Sequence, residues 1–279
     1  MNSLTSRIRQ TLQEFYSPEE AKALTMMICC DMLGLKALDI YAGKDIILSA
    51  SMQCELENII SRLQKHEPIQ YIRGFAEFYG HSFRVAPGVL IPRPETVELV
   101  DLIVKENAAA SPAVLDIGTG SGCIAISLAK ALPDARVTAW DLSEEALTIA
   151  RYNSEQLKAK VRFEKQDVLL EQIDSEVRYD VIVSNPPYVL EGEKLSMEAN
   201  VLEWEPELAL FVPDDDPLLF YRRIADLGRE LLFPDGKIYF EINQAYGDEV
   251  EELLHGMHYK NIEVIRDFFG NSRMVKAKK

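Results

Sequence analysis

The tetrapeptide Asn185-Pro186-Pro187-Tyr188 constrains the fold of this chain more than any other stretch. It follows the apolar run 179–184, Tyr-Asp-Val-Ile-Val-Ser, which is typical of a buried strand in a parallel sheet. Because proline has no N–H to donate to a strand ladder, the two prolines must end that strand. Asn185 and Tyr188 are therefore predicted at its carboxyl end, where open α/β sheets bind ligands. Taken alone, a Pro-Pro pair more often marks an ordinary loop.

Segments with strand and helix periodicity alternate after Thr96, which predicts a parallel sheet with helices on both faces. The predicted strands are 113–117, 136–140, 161–165, 179–184 and 236–242, with an antiparallel pair at 262–265 and 273–277. The predicted helices are 96–106, 122–132, 143–157, 224–232 and 247–255. Residues 94–279 are therefore expected to form an α/β domain.

The first 75 residues predict a separate, small helical domain. Ser17 stands at the N-cap position of a capping box, and the helix that it begins is predicted to continue over 21–33. A second helix is predicted over 51–66. Because residues 1–75 carry no catalytic cluster, we expect this domain to bind or position a partner.

Residues 76–93 are predicted to form a β-hairpin linker with Gly80 at its turn. At the end of this linker, Arg93 stands between Pro92 and Pro94, which hold it on a stiff segment. An ion pair between Arg93 and Glu95 would explain this arrangement on purely structural grounds.

The charge of the chain disfavours some classes of partner. The net charge is −15, and residues 91–279 carry 21 basic against 35 acidic side chains, whereas residues 1–90 carry 9 against 10. Because a domain that binds phosphates normally carries a positive net charge, no direct nucleic acid binding is expected.

The chain lacks a signal-peptide pattern and the ~18-residue apolar stretch that spans a bilayer, so a cytoplasmic protein without membrane contact is expected. Its cysteine spacing favours neither a metal site nor disulfides.

A glycine-rich loop, Gly118-Thr119-Gly120-Ser121-Gly122, follows the first predicted strand. Gly118 and Gly120 would let the backbone approach a ligand, and Gly122 would allow close helix packing. The dinucleotide pattern G-x-G-x-x-G would require glycine at position 123, which is Cys123. The loop therefore favours a nucleoside ligand without a pyrophosphate.

Acidic residues stand at the ends of three predicted strands. Asp116 lies in the first, and Asp141 ends the second, where a carboxylate can accept hydrogen bonds from both ribose hydroxyls. Asp167 and Val168 follow the third, where Asp167 could bind the exocyclic amine of an adenine and Val168 could contact it through the main chain. With the glycine loop, these positions resemble the class I methyltransferase fold, a Rossmann-like sheet. That resemblance implies S-adenosyl-L-methionine as cofactor and S-adenosyl-L-homocysteine as product.

The segment 185–188 resembles a methyltransferase motif in which Asp, Asn or Ser precedes Pro-Pro and an aromatic residue. Enzymes with this motif methylate planar amide or exocyclic nitrogens, whose delocalised lone pairs make them poor nucleophiles. The Asn185 side-chain oxygen and the Pro186 carbonyl can each accept an N–H of the substrate, which aligns its nitrogen with the methyl group. Tyr188 can stack on the substrate, and Pro187 stiffens the segment. The proton can leave after transfer, so no strong general base is required.

Further segments extend the resemblance to one family. These segments are 66–74, 78–80, 89–96 (Val-Leu-Ile-Pro-Arg-Pro-Glu-Thr), 116–125, 185–188, Glu205-Pro206 with Ala209-Leu210, and 270–273. In this order they resemble the HemK family, which methylates glutamine in peptide chain release factors. One departure is 211–217, Phe-Val-Pro-Asp-Asp-Asp-Pro, where the family usually has a glycine-rich stretch, and a solvated loop is expected there.

The resemblance implies methylation of the side-chain amide nitrogen of the glutamine in the Gly-Gly-Gln motif of class I release factors, which act in translation termination. It places 118–122, Asp141, Val168 and Asn185 at the cofactor and 185–188 at the glutamine. It also implies that the helical domain docks the release factor.

Two alternatives compete with this interpretation. An adenine-N-methyltransferase acting on DNA or RNA would use the same four-residue motif, but the acidic charge of residues 91–279 and the 91–96 segment disfavour it. A docking protein that binds the cofactor without catalysis is disfavoured by the intact Asn185 and glycine loop. The sequence leaves open which release factor is preferred and the oligomeric state.

Overall fold

The computed structural model describes residues 3–108, 110–170 and 177–279. Residues 1–2, 109 and 171–176, which fall inside the predicted domain ranges, lie outside the described residues. The chain divides into two compact units, a smaller one with the residues up to Gly74 and Glu198–Trp204, and a larger one with Phe75–Met197 and Glu205–Lys279. No described helix combines the length and the apolar character needed to cross a bilayer.

The secondary structure alternates in the larger unit and is helical in the smaller one. The α-helices of the described residues are α1 (Ser3–Leu12), α2 (Pro18–Met27), α3 (Ala37–Tyr41), α4 (Ala50–Leu63), α5 (Ile69–Arg73), α6 (Thr96–Asn107), α7 (Cys123–Ala131), α8 (Glu144–Gln156), α9 (Ala199–Leu202), α10 (Leu219–Leu231) and α11 (Gly247–Gly256). The strands are β1 (Phe75–Phe78), β2 (His81–Arg84), β3 (Ala113–Ile117), β4 (Arg136–Asp141), β5 (Val161–Lys165), β6 (Tyr179–Ser184), β7 (Val189–Leu190), β8 (Phe211–Val212), β9 (Leu232–Glu241), β10 (Lys260–Arg266) and β11 (Ser272–Lys278).

The smaller unit buries the apolar faces of its helices against one another. The predicted N-cap is confirmed, because the Ser17 hydroxyl accepts a hydrogen bond from the Glu20 N–H. The predicted helix over 21–33 is not a single α-helix, since α2 ends at Met27 and continues as a π-helix over Ile28–Met32. There the Leu33 N–H donates to the Ile28 carbonyl, five residues back. The second predicted helix is confirmed as α4.

The larger unit is built on a seven-stranded sheet of described residues, in the order β10-β11-β9-β6-β3-β4-β5. The strands from β9 to β5 run parallel. The predicted antiparallel pair is confirmed as β10–β11, and β11 is also antiparallel to β9. The chain passes outward from β3 to β4 and β5, and then returns to β6 on the other side of β3. The carboxyl ends of β3 and β6 therefore flank the topological switch point, where such sheets bind ligands.

Both faces of this sheet are covered. Successive residues of β3 point to opposite faces, so Val114 packs into one apolar core and Leu115 into the other. The core that contains Leu115 also contains residues of α10 and α11, and the core that contains Val114 contains residues of α6 and α7. Burial on both faces explains why the parallel strands read as continuous apolar runs.

In the larger unit, one helix boundary and one strand boundary differ from the predictions by four residues or more. Helix α10 begins at Leu219 rather than at 224, and β9 begins at Leu232 rather than at 236. The predicted strand began at Gly236 because Pro234 and Gly236 are typical of a turn. In the structure Leu232 already pairs with β6, the ladder shifts register, and pairing resumes at Lys237. The turn residues therefore form a bulge inside the strand.

The predicted hairpin is confirmed as the antiparallel pair β1–β2, but it ends at Arg84 and 85–93 contains no strand. The pair groups with the larger unit. Its last residue is bound to α8, because the Asn153 side chain accepts from the Arg84 N–H at 2.7 Å and donates to the Arg84 carbonyl at 3.0 Å. The same amide donates to the Ser121 carbonyl at 2.9 Å. Asn153 therefore joins the hairpin to the glycine loop.

Candidate active site

The glycine loop turns sharply at the carboxyl end of β3. The N–H groups of Gly118 and Thr119 both donate to the Trp140 carbonyl, at 2.9 and 3.0 Å, which fastens the loop to the end of β4. Gly118 and Gly120 have φ of +75° and +54°, in the left-handed region that favours glycine. A Cβ added to either would meet nothing within 4 Å, so the space beside them is open.

Gly122 has a packing role. A Cβ added there would lie 2.9 Å from Ile126 Cδ1 and 3.1 Å from Ala150 Cβ, so α7 and α8 approach the loop closely. The close helix packing predicted for Gly122 is confirmed.

Asp141 supports the loop from the end of β4. Its Oδ2 accepts from the Gly120 N–H at 2.8 Å, and its Oδ1 accepts from the Ser143 N–H at 2.9 Å. Burial raises the pKa of Asp141, while the backbone N–H groups of Ser143, Gly120 and Leu142 lower it. Because each carboxylate oxygen has a further lone pair, the side chain can still accept hydrogen bonds from ligand hydroxyls.

Asp116 lies fully buried in β3, directly before the loop. Its Oδ2 accepts from the Thr119 hydroxyl at 2.6 Å. Burial, together with the neighbouring charge of Asp141, raises the pKa of Asp116 to about 7. Asp116 therefore holds the loop from inside the sheet.

Asp167 and Val168 follow β5, as predicted, and an arginine holds their loop. Asp167 Oδ1 accepts from the Leu169 N–H at 2.9 Å. Arg223 donates through Nε to the Val168 carbonyl at 2.7 Å and through Nη2 to the Leu170 carbonyl. Among the described residues no group accepts from the Val168 N–H, so a main-chain contact with a base can use that donor.

The 185–188 segment lies at the carboxyl end of β6, beside the glycine loop. The Ser184 hydroxyl donates to the Ile117 carbonyl at 2.7 Å, which joins the ends of β6 and β3. Among the described residues, no group donates to the Asn185 side-chain oxygen or to the Pro186 carbonyl. Two acceptors therefore stand together without a partner at the switch point of the sheet.

The aromatic end of this segment is anchored. The N–H groups of Tyr188 and Val189 donate to the Leu210 carbonyl, at 3.2 and 2.9 Å. The Asn243 side chain donates to the Tyr188 carbonyl at 3.3 Å. The Tyr188 ring packs on the apolar core, and burial, with the charge of Glu241, raises the pKa of its hydroxyl.

Glu241 and Thr96, which the sequence interpretation did not assign to the site, lie behind the tetrapeptide. The Thr96 hydroxyl donates to Glu241 Oε2 at 2.5 Å, and the Tyr188 hydroxyl donates to Glu241 Oε1 at 3.3 Å. Asn185 Nδ2 lies 3.4 Å from Thr96 Oγ1. The sequence did contain one indication of Glu241. It is an acidic residue at the end of a predicted strand, and its strand end lies at the same sheet edge as the three aspartates already noted.

The ion pair considered for Arg93 involves a different partner. Arg93 Nη2 lies 2.7 Å from Glu205 Oε1, and Glu205 Oε2 accepts from the Ile91 N–H at 3.0 Å. The Glu205 side chain is almost fully buried. Arg93 therefore pairs with Glu205 rather than with Glu95, a partner 112 residues away that local spacing could not indicate.

The solvated loop expected over 211–217 is wrong at its start, because Phe211 and Val212 form β8 beside β7 and Val212 is buried. The remaining acidic loop over 213–217 is exposed in large part, as expected, but it has local anchors. Asp214 Oδ1 accepts from the Gly192 N–H at 2.9 Å. Asp216 binds both terminal nitrogens of Arg222, at 2.8 and 2.9 Å. These contacts fix the loop before α10 without placing its carboxylates at the 185–188 segment.

The residues at this sheet edge fit S-adenosyl-L-methionine. The open space beside Gly118 and Gly120 admits a ligand against the backbone, and Asp141 offers acceptors for the two hydroxyls of a ribose. Asp167 and the Val168 N–H offer an acceptor and a donor for the edge of an adenine. The donor set therefore matches an adenosine without a pyrophosphate.

Two family models match the chain. Residues 97–203 match the methyltransferase small domain, and residues 3–74 match the PrmC N-terminal domain. The first match contains the glycine loop and the 185–188 segment, and the second lies in the smaller unit.

Similar proteins cover nearly the whole chain. A release factor glutamine methyltransferase of Bacteroides thetaiotaomicron is 68% identical over 99% of each chain. One of Flavobacterium psychrophilum is 44% identical over 96% of this chain and 95% of its own. Among solved structures, a methyltransferase from Pyrococcus furiosus aligns with a TM-score of 0.54 and 19% identity over 83% of this chain and 99% of its own, which confirms the class I methyltransferase fold.

Proposed function

This chain belongs to the family of release factor glutamine methyltransferases, and we propose that it methylates the side-chain amide nitrogen of the glutamine in the Gly-Gly-Gln motif of class I peptide chain release factors. One observation carries the proposal. The Asn185 side-chain oxygen and the Pro186 carbonyl stand free of partners among the described residues, at the sheet edge that also bears the glycine loop. Two adjacent acceptors match the two N–H groups of a primary amide.

The methyl donor in this proposal is S-adenosyl-L-methionine, which supplies an electrophilic methyl group when bound. The residues that would hold it are Gly118, Thr119, Gly120, Ser121, Gly122, Asp141, Asp167, Val168 and Asn185. Asp141 would accept from the ribose hydroxyls, and Asp167 with the Val168 N–H would contact the adenine. The contacts of Asp141 and Arg223 with the loops keep these groups in place before the ligand arrives.

The acceptor oxygens would perform two tasks at the glutamine. By accepting one N–H each, Asn185 and Pro186 fix the amide nitrogen in one direction, which removes the orientational cost of transfer. Positive charge develops on that nitrogen, and two fixed oxygen dipoles stabilise it. Tyr188, anchored through its backbone and hydroxyl, would cover the substrate and exclude water. The proton leaves after methylation, when the nitrogen has become acidic.

The partner in this proposal is a protein rather than a nucleic acid or a membrane. The acidic excess of 21 basic against 35 acidic side chains in residues 91–279 suits neither phosphates nor an anionic lipid surface. We assign to the helical domain, residues 1–75, the docking of the release factor, with residues 76–93 as the linker and 94–279 as the catalytic domain. The proposed place of action is the cytoplasm, where proteins are synthesised.

Transfer of a radiolabelled methyl group to purified release factors tests this proposal. We expect label in the intact release factor and none in a release factor whose motif glutamine is replaced by alanine. Oligonucleotides that contain adenine serve as a parallel acceptor. Label in the oligonucleotide and none in the release factor would replace the proposal with an adenine-N-methyltransferase.

A further inference from the structure

Glu241 is a buried acid that the proposed mechanism does not use. It ends β9 and is 1% exposed. A buried carboxylate costs several kcal/mol of desolvation unless its surroundings compensate for it. An apolar residue would fill this place at lower cost, so the contacts of the carboxylate indicate what it does.

Two hydroxyls make the carboxylate of Glu241 an acceptor on both of its oxygens. Thr96 donates to Oε2 at 2.5 Å, the distance typical of an O–H group bound to an anion, and Tyr188 donates to Oε1 at 3.3 Å. Burial is the largest influence and raises the pKa of Glu241, although the hydrogen bonds from Thr96 and Tyr188 and the positive charge of Arg273 offset part of this rise.

The direction of these hydrogen bonds fixes the Asn185 amide. A hydroxyl has one proton, and the Thr96 proton is committed to Glu241, so Thr96 Oγ1 can only accept from Asn185. Only Nδ2 of the Asn185 amide can donate, and it lies 3.4 Å from Thr96 Oγ1. The side-chain oxygen of Asn185 is then directed away from Thr96.

We propose that Glu241 is a positioning residue, which acts through Thr96 to present the oxygen of the Asn185 amide, rather than its nitrogen, to the methyl acceptor. The inference rests on the proposed function, because a glutamine N–H needs an acceptor there. With the opposite orientation, the Asn185 NH₂ would face the substrate NH₂, and neither could accept. Glu241 therefore excludes the unproductive orientation of Asn185.

The variant Glu241→Gln tests this directly. A carboxamide can donate to Thr96 Oγ1, which releases the Thr96 proton toward Asn185 and permits the amide to flip. We expect kcat for release factor methylation to fall about 10- to 100-fold, with the Kd for S-adenosyl-L-homocysteine within about threefold of the wild type. A thermal melt establishes that the variant is folded.

A second pair of variants tests the same chain of hydrogen bonds, from Glu241 through Thr96 to Asn185, at Thr96. Thr96→Val removes the hydroxyl and is expected to lower kcat as Glu241→Gln does. Thr96→Ser keeps a hydroxyl at this position and is expected to keep most of the wild-type kcat. The double variant Glu241→Gln/Thr96→Val is expected to have a kcat no lower than that of the slower single variant, because both substitutions break the same chain of hydrogen bonds to Asn185. Glu106→Gln, a carboxylate at the other end of α6, is the matched control, with kcat/KM unchanged.

The outcomes separate this inference from the proposed function. If the wild type labels the release factor and a folded Glu241→Gln variant does so with the same kcat, or if Thr96→Ser is as slow as Thr96→Val, the positioning role is wrong and the proposed function stands. If the wild type labels no release factor, the proposed function is wrong and the inference falls with it.

Discussion

Asn185 carries two separate tasks on one side chain, since its nitrogen faces Thr96 and its oxygen is left for the substrate. Replacing Asn185 with alanine removes the substrate acceptor. We expect kcat for release factor methylation to fall at least about 100-fold, because one fixed dipole at a developing charge contributes about 3 kcal/mol. The Kd for S-adenosyl-L-homocysteine, measured by calorimetry, is expected to stay within about tenfold. Unchanged turnover would contradict the assigned mechanism.

The site residues that sequence could predict are those with a local pattern. The glycine loop, Asp141 and the 185–188 segment each lie next to a recognisable strand end. Thr96 and Glu241 are 145 residues apart in the chain, and Asn153 binds the hairpin across 69 residues. Such pairs meet only through the order of the strands, which no local spacing contains.

The loop between β3 and α7 separates two roles of glycine. We expect Gly122→Ala to lower the free energy of unfolding by about 1–3 kcal/mol, because the new methyl group would overlap Ile126 and Ala150 and φ is +82°. Gly118→Ala meets no atom, and its backbone strain costs only about 1 kcal/mol. Its methyl group would instead enter the space assigned to the cofactor, so affinity for S-adenosyl-L-homocysteine is expected to fall more than about tenfold.

Denaturant melts of the unbound proteins and calorimetric titrations measure the two effects independently. A Gly118→Ala variant that binds the cofactor product like the wild type would show that the loop does not line the cofactor site.

Element type was predictable wherever the apolar period was long, as in the parallel strands and α4. The predicted start of β9 was wrong because the local preference of its residues for a turn competes with strand pairing. Pro234 and Gly236 are typical of a turn, yet pairing with β6 on both sides keeps them within β9. The π-helix at Ile28–Met32 follows α2 without a break in its apolar pattern, so periodicity alone could not distinguish the two helix types.

Across the larger unit, Glu106 on α6 binds two strands of the sheet. It contacts Lys237 and Tyr239 of β9 and Lys276 of β11, each at 2.7 Å. Burial alone would raise the pKa of Glu106, but the hydrogen bonds from Lys237, Lys276 and Tyr239 outweigh it and lower the pKa to about 2. The ionised carboxylate therefore stabilises the folded state.

The pH dependence of this contribution has a definite sign. A carboxylate with a lowered folded pKa stabilises the protein above its unfolded pKa, and the effect is lost as the pH falls toward the folded value. We expect Glu106→Gln to lower the free energy of unfolding by about 1–3 kcal/mol near pH 7, and the difference from the wild type to narrow below about pH 4. Denaturant midpoints over this range measure it, and a constant difference would contradict the assignment.

The division of the molecule into two units bears on how the substrate is selected. A catalytic unit alone could bind a glutamine side chain, so a separate helical domain is useful if it binds a part of the release factor remote from the Gly-Gly-Gln motif. Binding energy from remote contacts can lower the barrier to methyl transfer as well as the concentration of release factor needed for half-saturation.

A short Gly-Gly-Gln peptide lacks those contacts, so we expect its kcat/KM to be at least about 100-fold below that of the folded release factor. Labelled methyl transfer to both acceptors under the same conditions measures the ratio, with Asn185→Ala as the control that is slow on both. Equal kcat/KM for the peptide and the protein would show that the reaction needs no docking beyond the glutamine and would remove the role assigned to the helical domain.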